Sequence, residues 1–129
     1  MKPEDLIKKY PKMFPKNEKR EFVYLLPFGF ENVWIEYVDK LMRCIQNYID
    51  QNEHLKIPQV HVHQIKQKFG MMRFYTDGGD KIVHGMIWFA EYYSQYICEK
   101  CCLPGTLKEN KMSWYMTLCD KHWKENNKE

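Results

Sequence analysis

Gln64-Ile65-Lys66-Gln67-Lys68-Phe69-Gly70-Met71-Met72-Arg73-Phe74-Tyr75 is the stretch that decides the fold. An alternating run leads into Phe69-Gly70, and a second run leaves it, which is the pattern of two antiparallel strands joined by a two-residue turn. Pro58 opens the first strand, and the loop Asp77-Gly78-Gly79-Asp80 closes the second. With that turn, Lys68 opposes Met71, Lys66 opposes Arg73 and Gln64 opposes Tyr75. Opposed residues share a face of the hairpin. One face then carries Gln64, Lys66, Lys68, Arg73 and Tyr75. The other carries Ile65, Gln67, Met72 and Phe74 and packs on helices. A change of one residue in the turn would reshuffle every pair.

Helices are expected on both sides of this hairpin. Upstream, Phe30, Val33, Trp34, Tyr37, Val38, Leu41, Met42, Ile45, Tyr48 and Ile49 recur at steps of three and four. Glu31, Glu36, Asp39, Lys40, Arg43 and Asn47 fill the other side. The period predicts a long amphipathic helix over 31–51, with Cys44 packed at the edge of its buried face. Downstream, a second helix is expected over 80–97, N-capped by Asp77 or Asp80. Its core stripe is Ile82, Val83, Met86, Ile87, Ala90, Tyr93 and Ile97. A second stripe, Trp88, Tyr92 and Tyr96, has no place on that core face. It suits cover by residues 11–30, contact with another copy of the chain, or a stacking platform for bases.

Further out, Pro3, Glu4 and Asp5 suit the start of a short helix over 3–9 that Pro11 stops. Pro11, Pro15, Pro27 and Gly29 make 11–30 irregular, with Phe22-Val23-Tyr24-Leu25-Leu26 buried against the core. Trp114-Tyr115-Met116-Thr117-Leu118 reads as a short strand, and the polar tail after Trp123 as frayed. The expected class is α+β: two long amphipathic helices on a small antiparallel hairpin sheet, with a C-terminal zinc-ribbon-like pair of knuckles. One domain over 1–129 contains the irregular segment 1–30, the helix–hairpin–helix core 31–97 and the knuckles 98–123.

The knuckles are Cys98-Glu99-Lys100-Cys101 and Cys119-Asp120-Lys121-His122, separated by seventeen residues. Each places two soft donors on one turn, and together they complete a tetrahedron. Thiolates and imidazole suit Zn²⁺ better than Mg²⁺ or Ca²⁺. Four protein ligands leave no open position, so a structural ion is expected. Cys102 complicates the set: it could replace Cys101, remain a free thiol or be oxidised. His61-x-His63 is a further pair that could hold a metal on one strand face, or lie as ordinary surface residues.

Composition narrows the functional classes. The chain has 129 residues with 16 % aromatics, eight Met, five Cys and a formal charge of +3. The aromatic load excludes a disordered chain, and no apolar run approaches the length of a membrane span. Lys2, Glu4, Asp5, Lys8 and Lys9 interrupt any secretory signal, so a reducing cytoplasm and metal-bound thiols are expected in place of disulfides. A charge of +3 argues against nucleic acid as the main partner, although zinc ribbons and basic hairpins often serve it.

Several stretches together resemble a family of small bacteriophage and prophage proteins. They are Leu6-Ile7-Lys8-Lys9-Tyr10-Pro11, Gly29-Phe30-Glu31 with Trp34, the hairpin string, Gly85-Met86 with Ala90-Glu91 and Ser94, Cys98-x-x-Cys101 with Pro104-Gly105, and Thr117-Leu118-Cys119-Asp120. The specific signature is K-F-G-x-(L/M)-R-F-Y plus the two knuckles. The resemblance implies a zinc protein of the host bacterial cytoplasm and carries no established activity. The chain departs from the family at Cys102, where Gly is usual, and at Trp88 and Tyr92, where the helix is usually more polar. A phage setting makes a role against host defence, through a nucleotide signal or a host protein, an implied possibility.

The expected function is therefore non-enzymatic binding. Gln64, Lys66, Lys68, Arg73 and Tyr75 would contact an anion, since Arg and Lys grip phosphate; the bland reading of that face is a solvated sheet surface. Trp88, Tyr92 and Tyr96 would form an interface with a partner or a second copy. An enzyme would need a nucleophile–base pair or an open metal site, and neither is evident. Asp77, Asp80 and His84 are the nearest approach to a catalytic cluster.

Overall fold

The computed structural model describes residues 1–16, 18–19 and 33–126. Expectations for Phe22–Leu26, Phe30, Glu31 and residues 127–129 lie outside the described residues, whereas the tail just after Trp123, expected to fray, stays helical through Asn126. Among the described residues the architecture is mixed helix and sheet. Four α-helices, α1 (Pro3–Lys9), α2 (Ile35–Gln51), α3 (Lys81–Tyr93) and α4 (Asp120–Asn126), accompany two separate antiparallel hairpins. The first hairpin pairs β1 (His61–Lys68) with β2 (Met71–Asp77), and the second pairs β3 (Thr106–Glu109) with β4 (Tyr115–Leu118). The β3 strand and α4 had no clear signal in the sequence: β3, Thr106-Leu107-Lys108-Glu109, has one apolar residue, and α4 lies in a strongly polar stretch.

The turn at Phe69-Gly70 sets the register as read: Lys68 with Met71, Lys66 with Arg73, Gln64 with Tyr75. Both turn residues have positive φ, 54° and 80°. That is the backbone of a primed turn, whose twist matches the strands. Gly70 is required twice over, because a Cβ there would also press 2.2 Å from Leu107 Cδ1 of the second hairpin. The register slips between Val62 and Gln64. This bulge turns Val62 inward beside Ile65, although strict alternation would have left it outside with Gln64.

The main core collects Leu6, Met13 and Phe14 from the N-terminal segment, Trp34, Val38, Met42 and Ile45 from and just before α2, and Ile65, Met72 and Phe74 from the hairpin. Val83, Ile87 and Ala90 of α3 complete it. The outer edge of β2 is covered by α3 and the turn that follows it: the Met72 N–H donates to Ser94 Oγ and the Phe74 N–H to Glu91 Oε2, both at 2.9 Å. A two-stranded sheet is thus relieved of unpaired edge donors.

Four expectations are corrected. Asp39 is buried, not on the polar side of α2. It accepts from Tyr10 Oη at 2.6 Å and pairs with Lys9 at 2.9 Å, so α1 docks on that side of the helix. Cys44 is exposed, with its Sγ 4.0 Å from Met86 Sδ. Ile82 and Tyr93 are exposed as well, because α3 presents only a narrow stripe to the core. The helix also ends earlier than expected, at Tyr93, and tightens into a 3₁₀ turn over Ser94–Tyr96.

Candidate functional site

Cys98, Cys101, Cys119 and His122 converge, with all four ligand atoms within 4.8 Å of one another. The loop after α3 builds the first half. Cys98 N–H donates to Leu103 O at 2.7 Å and Cys102 N–H to Cys98 O at 2.9 Å, which curls Cys98 and Cys101 onto one side. The second half is the start of α4: Cys119 precedes it, His122 lies one turn on, and Trp123 N–H donates back to Cys119 O. The two halves meet at Gly105, where a Cβ would come 2.8 Å from Cys98 N.

The spacing of the donors is tight. Cys101 and Cys119 sulfurs stand 3.8 Å apart, and His122 Nδ1 is 3.5 Å from Cys98 Sγ and 3.1 Å from Cys119 Sγ. Nε2 of the same ring faces Glu125 at 3.9 Å. Burial opposes ionisation of Cys98, but the N–H groups of Cys101, Cys119 and Lys100 outweigh it and hold that thiol below its ordinary pKa. Cys101 is pushed up to about 11, first by burial and then by the neighbouring Cys98 and Cys119 sulfurs. Three thiolates cannot share this volume without a cation to offset their repulsion. The arrangement could hold a metal ion, and the five cysteines form no disulfide.

Cys102 stands outside the cluster. Its backbone has φ 61°, the left-handed conformation that favours glycine. The side chain points to the main core, near the backbone N–H groups of Glu36 and Tyr37, and burial raises its pKa. Cys101 therefore belongs to the donor set.

No protein-family model matches this sequence, and neither a curated protein nor a solved structure does. Function has to be read from the chain's own geometry.

The structure brings Gln64, Lys66, Lys68, Arg73 and Tyr75 onto one face of the first hairpin, all partly or fully exposed. Lys66 Nζ sits 5.7 Å from the Tyr75 ring centre and Lys68 Nζ 5.9 Å from that of Phe69. Among the described residues, neither lysine nor Arg73 has an ion-pair partner.

Other sequence candidates are engaged elsewhere. Asp80 caps α3 by accepting from Val83 N–H at 3.0 Å and takes the Tyr48 hydroxyl at 2.7 Å. His84 Nε2 lies 3.2 Å from Gly78 O. Asp77 is held between His61 Nδ1 and His63 Nε2, each at 2.9 Å. Its pairing with the two histidines was missed in the sequence, and the signal was the register that sets His61 opposite Asp77. Glu99 was missed too. It is buried between the hairpins and accepts from Gln67 Nε2 and Thr117 N–H.

Trp88, Tyr92 and Tyr96 are exposed, and Phe89 and Tyr93 join them. Phe89 and Tyr93 stack at 5.6 Å, Tyr93 meets Tyr96 at 5.4 Å, and Tyr92 meets Tyr96 at 6.2 Å. No described helix is long and apolar enough to cross a membrane.

Proposed function

We propose that the chain is a zinc-stabilised, non-enzymatic binding protein that takes an anionic ligand on the outer face of the β1–β2 hairpin. The observation that carries the reading is the group Lys66, Lys68 and Arg73: three cations on one rigid face, without ion-pair partners among the described residues. Clustered on one face, three cations create a positive local field that favours an anion over a neutral ligand. Tyr75 and Gln64 add a phenol and an amide at the border. The guanidinium can grip a phosphate with two parallel hydrogen bonds, and the lysines supply point charge. A nucleotide phosphate fits this chemistry.

Zinc would act as a structural clamp. Bonds of about 2.3 Å to sulfur and about 2.0 Å to nitrogen put tetrahedral edges near 3.8 Å between sulfurs and near 3.5 Å between sulfur and nitrogen. The 3.8 and 3.5 Å separations match those edges, while the 3.1 Å between His122 Nδ1 and Cys119 Sγ is shorter and would open on binding the ion. Among the described residues the buried core around the cluster is Cys98, Leu118 and Trp123, with Met116 packed against it, which is little apolar surface to hold two loops and a short helix unaided. The reading as a phage protein acting against a host nucleotide signal rests on the sequence resemblance alone.

Calorimetric titration with inorganic phosphate, cyclic dinucleotides and ADP-ribose tests the reading. Binding by at least one nucleotide, weakened tenfold or more in Lys66→Glu and Arg73→Glu with zinc retained, supports it. No heat from any of them removes the nucleotide reading. Binding to mixed oligonucleotides with a steep salt dependence would favour nucleic acid instead.

A further inference from the structure

The helix α3 is apolar on two opposed sides. Val83, Ile87 and Ala90 face the main core. Ile82, Gly85, Trp88, Phe89, Tyr92, Tyr93 and, just beyond the helix, Tyr96 occupy roughly 140° of the circumference on the other side, at 3.6 residues per turn. A helix with apolar stripes on two opposed sides is ordinarily covered on both. Here Trp88 is 76 % exposed, Phe89 64 %, Tyr92 53 %, Tyr96 47 % and Tyr93 43 %. The Trp88 ring has no aromatic, hydrogen-bond or cation partner among the described residues.

We infer that this face is a homodimer interface, covered by the same face of a second copy of the chain. Three observations choose that occupant. The first is charge. Glu91, the acidic residue of α3, is turned away to accept from Phe74 N–H, and Lys81 stands at the N-terminal end, so the middle of the face is uncharged. A charged partner gains nothing there, whereas an identical uncharged face is complementary to itself, as a two-fold contact requires.

Area is the second. At 150–250 Å² per aromatic side chain, the exposed fractions leave on the order of 600 Å² per chain. That equals the largest patch a typical monomer exposes, and two copies together clear the roughly 1,000 Å² of a specific interface.

The third is shape. Gly85 lies near the centre of the arc, and a Cβ placed there meets nothing within 4 Å. A cavity of about 280 Å³ opens between Gly85, Trp88, Phe89 and Tyr92. A ring of the facing helix can enter it, so large and small residues interlock across the two-fold axis.

Sedimentation velocity on the zinc-loaded full chain, from low micromolar to about 100 µM, tests this. A dimer is expected, with Trp88→Glu and Gly85→Lys each raising its dissociation constant at least tenfold. Both positions are exposed, and unchanged zinc content and circular dichroism certify the fold. A wild-type chain that stays monomeric at 100 µM overturns the inference. A dimer that survives both substitutions in folded protein overturns it equally. Should one variant fail to fold, the other decides. Anion binding by the hairpin is measured separately, so its failure leaves this result untouched.

Discussion

The indole Nε1 of Trp34 donates to the carbonyl oxygen of Ile97 at 2.8 Å, so the residue just before α2 holds the residue just before the first cysteine of the cluster. The Trp34 N–H adds a second tie, to Glu99 O at 2.8 Å. The residue is fully buried yet sits at φ 51°, a backbone strain that persists because both bonds and the packing fix it. The main core and the cysteine cluster are joined at this point.

Trp34→Phe keeps most of the buried ring and deletes the donor. The Ile97 carbonyl is then left short of a partner, at a cost of about 1–2 kcal/mol. Thermal melts should show a midpoint lower by roughly 4–8 °C for a chain of this size. An unchanged midpoint would mean that water replaces the indole at no cost.

Metal removal should act on the C-terminal third first. Zinc analysis is expected to give one ion per chain, and Cys119→Ser to lose it. Hydrogen exchange should then rise in β3, β4 and α4, while Val38, Met42 and Ile65 stay protected, because those belong to the separate main core. Uniform loss of protection along the chain would show that the clamp supports both cores.

Cys101 and Cys102 should separate cleanly. Cys101→Ser removes a donor and should abolish tight zinc binding. Cys102→Gly should keep the ion, since its sulfur points to the main core. Relief of a left-handed non-glycine backbone offsets the lost thiol contact, so stability should stay within about 1 kcal/mol of the parent. Loss of zinc in Cys102→Gly would place the wrong cysteine in the donor set.

How much of this was legible follows from where the determinants lie. The register of the first hairpin was legible because Phe69-Gly70 fixes it locally, and the four donors because knuckle spacing is a local pattern. Burial of Asp39 was not, since its partners Tyr10 and Lys9 are about thirty residues away. The bulge at His63 was hidden because strict alternation reads smoothly through it, and it alone decides which way Val62 points. Tyr93 was assigned to the core on period alone, whereas α3 curls away into its 3₁₀ turn at that point.

Asp39 makes a prediction about acid. Burial opposes its ionisation, but Tyr10 first, then Lys9 and Arg43, overcome that and hold its pKa below the ordinary value. A carboxylate whose folded pKa is depressed contributes stability above its unfolded pKa, about 3.9, and loses it as pH falls through the folded value. Denaturant midpoints should therefore drop on acidification from about pH 5 downward. In Asp39→Asn that portion of the slope should flatten, with a cost at pH 7 of about 1–3 kcal/mol from the weakened ties to Tyr10 and Lys9. A slope identical to the parent would assign the acid sensitivity to other carboxylates.

Phe69 should be replaceable to advantage. It holds φ 54° in a turn whose first position favours Asn, and its ring is exposed beside the cavity lined by Trp114, Tyr115 and Met116. Phe69→Asn keeps the register, since Gly70 still supplies the second left-handed residue, and removes the strain of an aromatic there. The folded state should gain about 1 kcal/mol, read as a higher denaturant midpoint at constant slope. The substitution leaves Lys68 Nζ without its aromatic neighbour at 5.9 Å. If the ring also holds that cation in place for an anion, the more stable variant should bind phosphate less tightly. A loss of stability would instead show that the ring contributes more through its contacts with the second hairpin than its backbone costs.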